Sequence, residues 1–254
     1  MPAAYDVSVV VARLERCSRR IWGATRRARE LREVWTVLNE GKAVRMAISR
    51  SPASAAAAIL QDALLREQIL IIVRLFDAPR GPALKSNRIS LPVVREFLTL
   101  PGVMEVFAER ARSWPCRSES KNMEIVRARF AGFEERLCRL QAEDPNRERR
   151  LRSYRDENLA HELYFEQPRP KVLYGYIPDL LQEVPQLTED VGLIVQGAHY
   201  FWDEGEAERS ATALWSAVAA AFPRRNSLLR IEWPLTCLML PWFEPHRPAP
   251  TPRS

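Results

Sequence analysis

The sequence predicts an all-α protein, and three observations carry that prediction. Apolar residues recur at three- and four-residue spacing along most of the chain, strand-like alternation is rare, and only nine of 254 residues are glycine. The first segment, Val7 to Gly41, reads as one long amphipathic helix. Val10, Leu14, Ile21, Leu31, Val34, Trp35 and Leu38 form its apolar positions, and Gly41 is its stop. A second helix follows, with Ser51 as cap, Pro52 in the first turn and apolar residues nearly all round between Ile69 and Phe76, so it is expected to lie centrally.

Ala78 to Arg88 is a loop by its Pro, Gly and Asn content. Ser90 then caps a short helix with Pro92 in its first turn, and another runs from Gly102 to Arg112. Ser118 to Glu143 is amphipathic, with Ile125, Phe130, Phe133 and Leu137 expected inward. Asp144 and Pro145 give a helix start by cap and first-turn chemistry, and that helix is expected to reach Phe165. A Pro-rich extended stretch leads to a short helix and a longer one between Ile177 and Gly205, and Glu206 to Phe222 forms the last helix. The expected division is a helical bundle domain over 1–222 and an irregular Pro-rich segment over 223–254, part of it disordered.

Net charge is +6, and all but four of the 38 cationic residues are arginine. Arginine forks onto phosphate, so this balance permits a nucleic-acid partner without requiring one. No apolar run approaches the roughly 20 residues of a membrane span, and the N-terminus lacks the pattern of a secretion signal, so a cytoplasmic protein is expected. The four cysteines lack the close spacing of zinc or redox pairs and are expected to be reduced and mostly buried. Three scattered histidines form no metal site; no metal and no cofactor is expected. His199 reads as a histidine at the edge of the core, and Trp114, Trp202, Trp215, Trp233 and Trp242 as packing anchors.

Chemistry concentrates in Ser153–Phe165, SYRDENLAHELYF. On a helix of about 100° per residue, Arg155, Asn158 and His161 form a stepped polar strip, and Arg155 shares a line with Leu151 and Leu159. Glu157 stands four residues before His161 and can contact its ring. Arg155 and His161 are separated by a rise of about 9 Å and a turn of about 120°. One copy cannot easily close both groups on one phosphate; two copies across a two-fold axis can, which favours a dimeric site. An imidazole near neutral pH can move the protons of RNA cleavage, and a guanidinium can stabilise charge building on phosphorus. Just upstream, Arg147, Arg149, Arg150 and Arg152 form either a solvated face or a track for the RNA backbone.

RDENLAH fits the R-x(4–6)-H signature of the HEPN superfamily, with Asp156 where the signature commonly has Asn, Asp or His. YRDENLAH resembles the corresponding segment of the AbiU-type abortive-infection branch. Arg74-Leu75-Phe76-Asp77 followed by Ser90-Leu91 is similar to that branch's second helix and the helix start after its loop. The resemblance covers about residues 5 to 220. It implies a HEPN-like up-and-down bundle with long N-terminal helices, often a homodimer, and metal-independent RNase activity in phage defence or as a toxin. Carried over, Arg155 and His161 are the catalytic pair, and Asp156 and Asn158 orient them. RNA is the implied substrate, with an antitoxin or another defence protein as further partner. Some toxins of the superfamily carry a modified tyrosine two residues after the histidine; here that position is Leu163, and Tyr164 comes one later. Non-catalytic branches exist, so a helical protein binding RNA, nucleotide or a protein partner through the same seam is the alternative.

Overall fold

A computed structural model describes residues 5–156 apart from 50, 80, 116 and 145, then 176–200, 202 and 205–221. Among these residues the protein is all-α, as the sequence predicts: nine α-helices, one 3-10 turn and no strand. In order they are α1 (Val7–Glu40), α2 (Lys42–Ser49), α3 (Ser54–Phe76), the 3-10 turn Ala83–Lys85, α4 (Leu91–Leu98), α5 (Val103–Ala111), α6 (Glu119–Glu143), α7 (Arg147–Tyr154), α8 (Tyr176–Gln196) and α9 (Glu206–Ala221). None of the described helices is long and apolar enough to cross a membrane. The expected Pro-rich linker before Tyr176 and the segment 223–254, with Trp233 and Trp242, lie outside the described residues.

The chain divides into two compact units, each assembled from separate stretches. One takes Met1–Arg29, Ile71–Glu148 and Leu181–Asp203; the other takes Glu30–Leu70, Arg149–Leu180 and Glu204–Ser254. Buried in the first are Leu14 and Ile21 of α1, Phe97 of α4, Phe107 of α5, Phe133 and Leu137 of α6, and Val184, Leu187 and Val191 of α8. The hydroxyls of Thr25 and Thr188 meet at 2.8 Å inside it, so neither polar group is stranded. In the second, Trp35, Leu38, Leu65, Ile69, Leu151, Ile177 and Trp215 are buried, and α2 packs on α9.

Four local expectations need correction. The break after α1 falls at Gly41, but the chain then forms α2, a short helix the sequence reading left out. A side chain at Gly41 would meet the Val37 carbonyl oxygen at 2.6 Å, so the close turn between the two helices excludes one. Ser51 does cap locally, accepting the Ala53 N–H at 3.2 Å, although α3 begins only at Ser54. On α6, Asn122, Val126, Phe133, Leu137 and Leu140 are buried, whereas Ile125 and Phe130 are half-buried. The inner stripe is rotated by one residue at its start, because Asn122 turns in to donate to the carbonyls of Trp114 and Arg117. The two helices expected from Ile177 onward are one, α8, which runs through Pro185. Proline removes one helix hydrogen bond, but the buried Val184, Leu187 and Val191 hold both sides of it on one apolar face.

Candidate functional site

The stretch with the candidate chemistry opens at Asp144, although its helix begins at Arg147 and not at Pro145. The Asp144 carboxylate accepts the Asn146 N–H at 2.9 Å, as a residue capping a helix start should, and α7 follows. Leu151 is buried at its centre. The α-helix ends at Tyr154, and Arg155 and Asp156 continue as a wider π turn. Such turns are rare and recur at functional sites.

The Arg155 side chain is only 16% exposed, while that of Asp156 is 45% exposed. Its Nε and one terminal nitrogen both donate to Oδ1 of Asp156, each at 2.6 Å. A guanidinium withdrawn from water is costly unless paired, and the adjacent carboxylate supplies the pair with a fixed fork. Arg149 is exposed and Arg150 and Arg152 are half-buried on the same turns of helix; α7 opens at Arg147. Asn158 and His161 lie outside the described residues, as do Glu157 and Leu159. The structure thus describes the arginine and its carboxylate neighbour, and not the arginine–histidine separation.

The second stretch noted in the sequence is well defined. Ser90 is fully buried, and its hydroxyl does not cap α4. It donates instead to the Asp77 carbonyl oxygen at 2.6 Å, tying the residue after α3 to the residue before α4. Arg88 closes the same loop, donating to the Ala78 carbonyl at 2.7 Å and pairing with the Asp77 carboxylate at 3.5 Å. The Arg-Leu-Phe-Asp…Ser-Leu pattern is therefore a structural clasp.

Other groups lie where the sequence did not place them. His199 is exposed, with Nδ1 3.0 Å from the Glu189 carboxylate, so it is a surface residue and not a core-edge histidine. Cys17 is buried, and burial pushes its thiol pKa up; Cys138 is exposed, and Cys116 and Cys237 lie outside the described residues. Trp215 is buried and Trp114 and Trp202 are half-buried. Asp190 is a buried acid the sequence reading missed. It sits between Arg129 at 3.0 Å and Arg136 at 4.0 Å, with Gln186 donating to it at 3.2 Å. Burial nevertheless raises its pKa above the ordinary carboxylate value. Among the described residues, no group of three or more His, Cys, Asp or Glu side chains could hold a metal ion.

A family model described as AbiU2, HEPN_AbiU2, matches residues 13–214. The chain belongs to the HEPN AbiU2 family. Membership implies a part in abortive infection, a form of phage defence. The match takes in both the clasp and the Arg155-to-His161 stretch. No curated protein and no solved structure gave a significant match.

Proposed function

We propose that this HEPN AbiU2 protein is a metal-independent endoribonuclease of a prokaryotic phage-defence or toxin–antitoxin system. His161 takes the proton of a ribose 2′-OH, or gives one to the departing 5′-oxygen. The 2′-oxygen attacks the adjacent phosphorus, and the bond to the 5′-oxygen breaks. The products are a 2′,3′-cyclic phosphate and a free 5′-hydroxyl. Arg155 stabilises the charge on the phosphoryl oxygens during transfer, and Asp156 holds the guanidinium in one orientation. Asn158 assists that positioning, and Arg147, Arg149, Arg150 and Arg152 attract the backbone. Two copies of the chain build the site, each presenting Arg155 to the other's His161, and an antitoxin or another defence protein restrains it.

The observation that carries this reading is Arg155 itself. It opens the family's arginine-to-histidine motif and is held, mostly shielded from water, on a fork with Asp156. A solvated helix face has no need of that arrangement. The test is incubation of the purified protein with total RNA in EDTA. Wild type is expected to cut, and His161→Ala and Arg155→Ala to lose at least about a hundredfold in rate. Intact RNA with wild type, accompanied by binding, would leave the non-catalytic binding protein as the reading.

A further inference from the structure

Between Glu15 and Glu30, α1 carries six arginines and no acid: Arg16, Arg19, Arg20, Arg26, Arg27 and Arg29. They form two files. Arg16, Arg20 and Arg27 follow one line of the helix, with Gly23 completing its spacing; a side chain there would meet nothing within 4 Å. Arg19, Arg26 and Arg29 follow the neighbouring line, interrupted by Trp22. Arg16, Arg19, Arg20 and Arg27 are exposed, and none makes a hydrogen bond or ion pair among the described residues. From Arg16 to Arg29 the files span about 20 Å of helix.

The second file borders a set of aromatic rings within the same unit. Trp22 and Tyr200 stack with centroids 5.3 Å apart and planes 29° from parallel. The Arg26 guanidinium lies 6.0 Å from the Trp22 ring and that of Arg29 5.2 Å from the Trp202 ring. All three residues are half-buried. Tyr200 is held in place: its hydroxyl donates to Gln196 at 3.1 Å and lies 3.0 Å from that of the buried Ser18. A side chain on Gly192 would overlap the Tyr200 ring, so the glycine is what seats it. Trp22 Nε1 is buried without a hydrogen-bond partner among the described residues, and the ring contacts Tyr200 and the Arg26 guanidinium.

We propose that this face of α1, with Tyr200 and Trp202 beside it, binds a single strand of nucleic acid. The exposed guanidiniums of Arg16, Arg20 and Arg27 in file match a polyphosphate backbone, and held rings beside them match unstacked bases. A duplex hides its bases, and a lipid surface has none, so neither uses both halves of the surface. The inference does not rest on cleavage by Arg155 and His161, because binding is read without turnover.

The test is fluorescence anisotropy of full-length His161→Ala protein with labelled 20-nucleotide RNA and DNA strands, a duplex RNA and vesicles of anionic lipid. Single strands are expected to bind more tightly than duplex or vesicle, and the better of RNA and DNA names the natural ligand. Replacing Arg16, Arg20 and Arg27 by Ala should weaken binding and lower the log–log salt slope by about 2. Trp22→Ala should weaken it about five- to a hundredfold with the slope unchanged. Trp22→Phe should restore much of that loss and guards against simple misfolding. Unchanged affinity in the arginine variant, no effect of Trp22→Ala, or preference for duplex or vesicles overturns the proposal. Cleavage by the wild type in EDTA remains a separate readout.

Discussion

Asp190 shows how one buried carboxylate reports on its surroundings. Its side chain is 3% exposed, and desolvation raises its pKa even though Arg129, Arg136 and Gln186 all favour the charged form. The arginines are themselves shared or wet: Arg129 is 39% exposed, and Arg136 also faces Glu183 at 3.5 Å. A raised native pKa means the folded state holds the proton to higher pH than the unfolded chain. The folded state therefore gains protons first as pH falls toward 3.8, and this residue adds stability on acidification instead of losing it. Urea unfolding of wild type and Asp190→Asn at pH 7 and near pH 5 measures the effect, since the other carboxylates are common to both. The stability difference should shift toward wild type at the lower pH. A shift toward the variant would mean that the ion pair outweighs burial. Nothing in the sequence marked Asp190, because burial of an acid depends on elements distant in the chain, here α6 with Arg129 and Arg136, and not on its sequence neighbours. Arg155 was legible for the opposite reason: its place in line with Leu151 predicts a shielded arginine, and the structure has one.

At the scale of elements, helix existence was legible and helix edges were not. The long α1 and α3 follow from sustained apolar periodicity, whereas α2 is only eight residues and carries too few repeats to announce itself. Pro185 reads locally as a break, and tertiary burial of α8 overrides it. Ser90 is the clearest case of a correct residue with a misread role. Sequence preference makes it a cap, but its hydroxyl is committed to the Asp77 carbonyl across thirteen residues. The clasp fixes the loop that joins α3 to α4, so its loss should be felt beyond one bond. Ser90→Ala removes a donor and leaves an acceptor without it in a fully buried position, with an expected cost of about 1–3 kcal/mol. Chemical denaturation checks this, and a loss below about 0.5 kcal/mol would show that the Arg88 contacts to Ala78 and Asp77 suffice to hold the loop. Because the residue is distant in the chain from Arg155 and His161, the folded fraction of the variant should retain its specific activity.

For the molecule as a whole, each of the two compact units takes three separate stretches of chain, so neither is encoded by one contiguous segment. The family match, spanning 13–214, draws on both. The proposed catalytic site adds a further level, since a site that needs Arg155 from one copy and His161 from the other is complete only in a dimer. This has a consequence that a site within one chain does not share. Arg155→Ala and His161→Ala homodimers should each be inactive, because every site lacks one of its two groups. In a mixed dimer, one site combines both substitutions, and the other combines an intact arginine with an intact histidine. Random exchange places half of the dimers in the mixed class, each with one working site of two. The mixture should therefore recover about a quarter of wild-type RNase activity, read as cyclic-phosphate ends after the two variants are co-refolded or co-expressed. If the pair acted within one chain, every site in the mixture would still lack a group and no activity would return. Recovery near a quarter assigns the arginine and the histidine of each site to different copies, whereas two variants active alone would remove the pair from catalysis altogether.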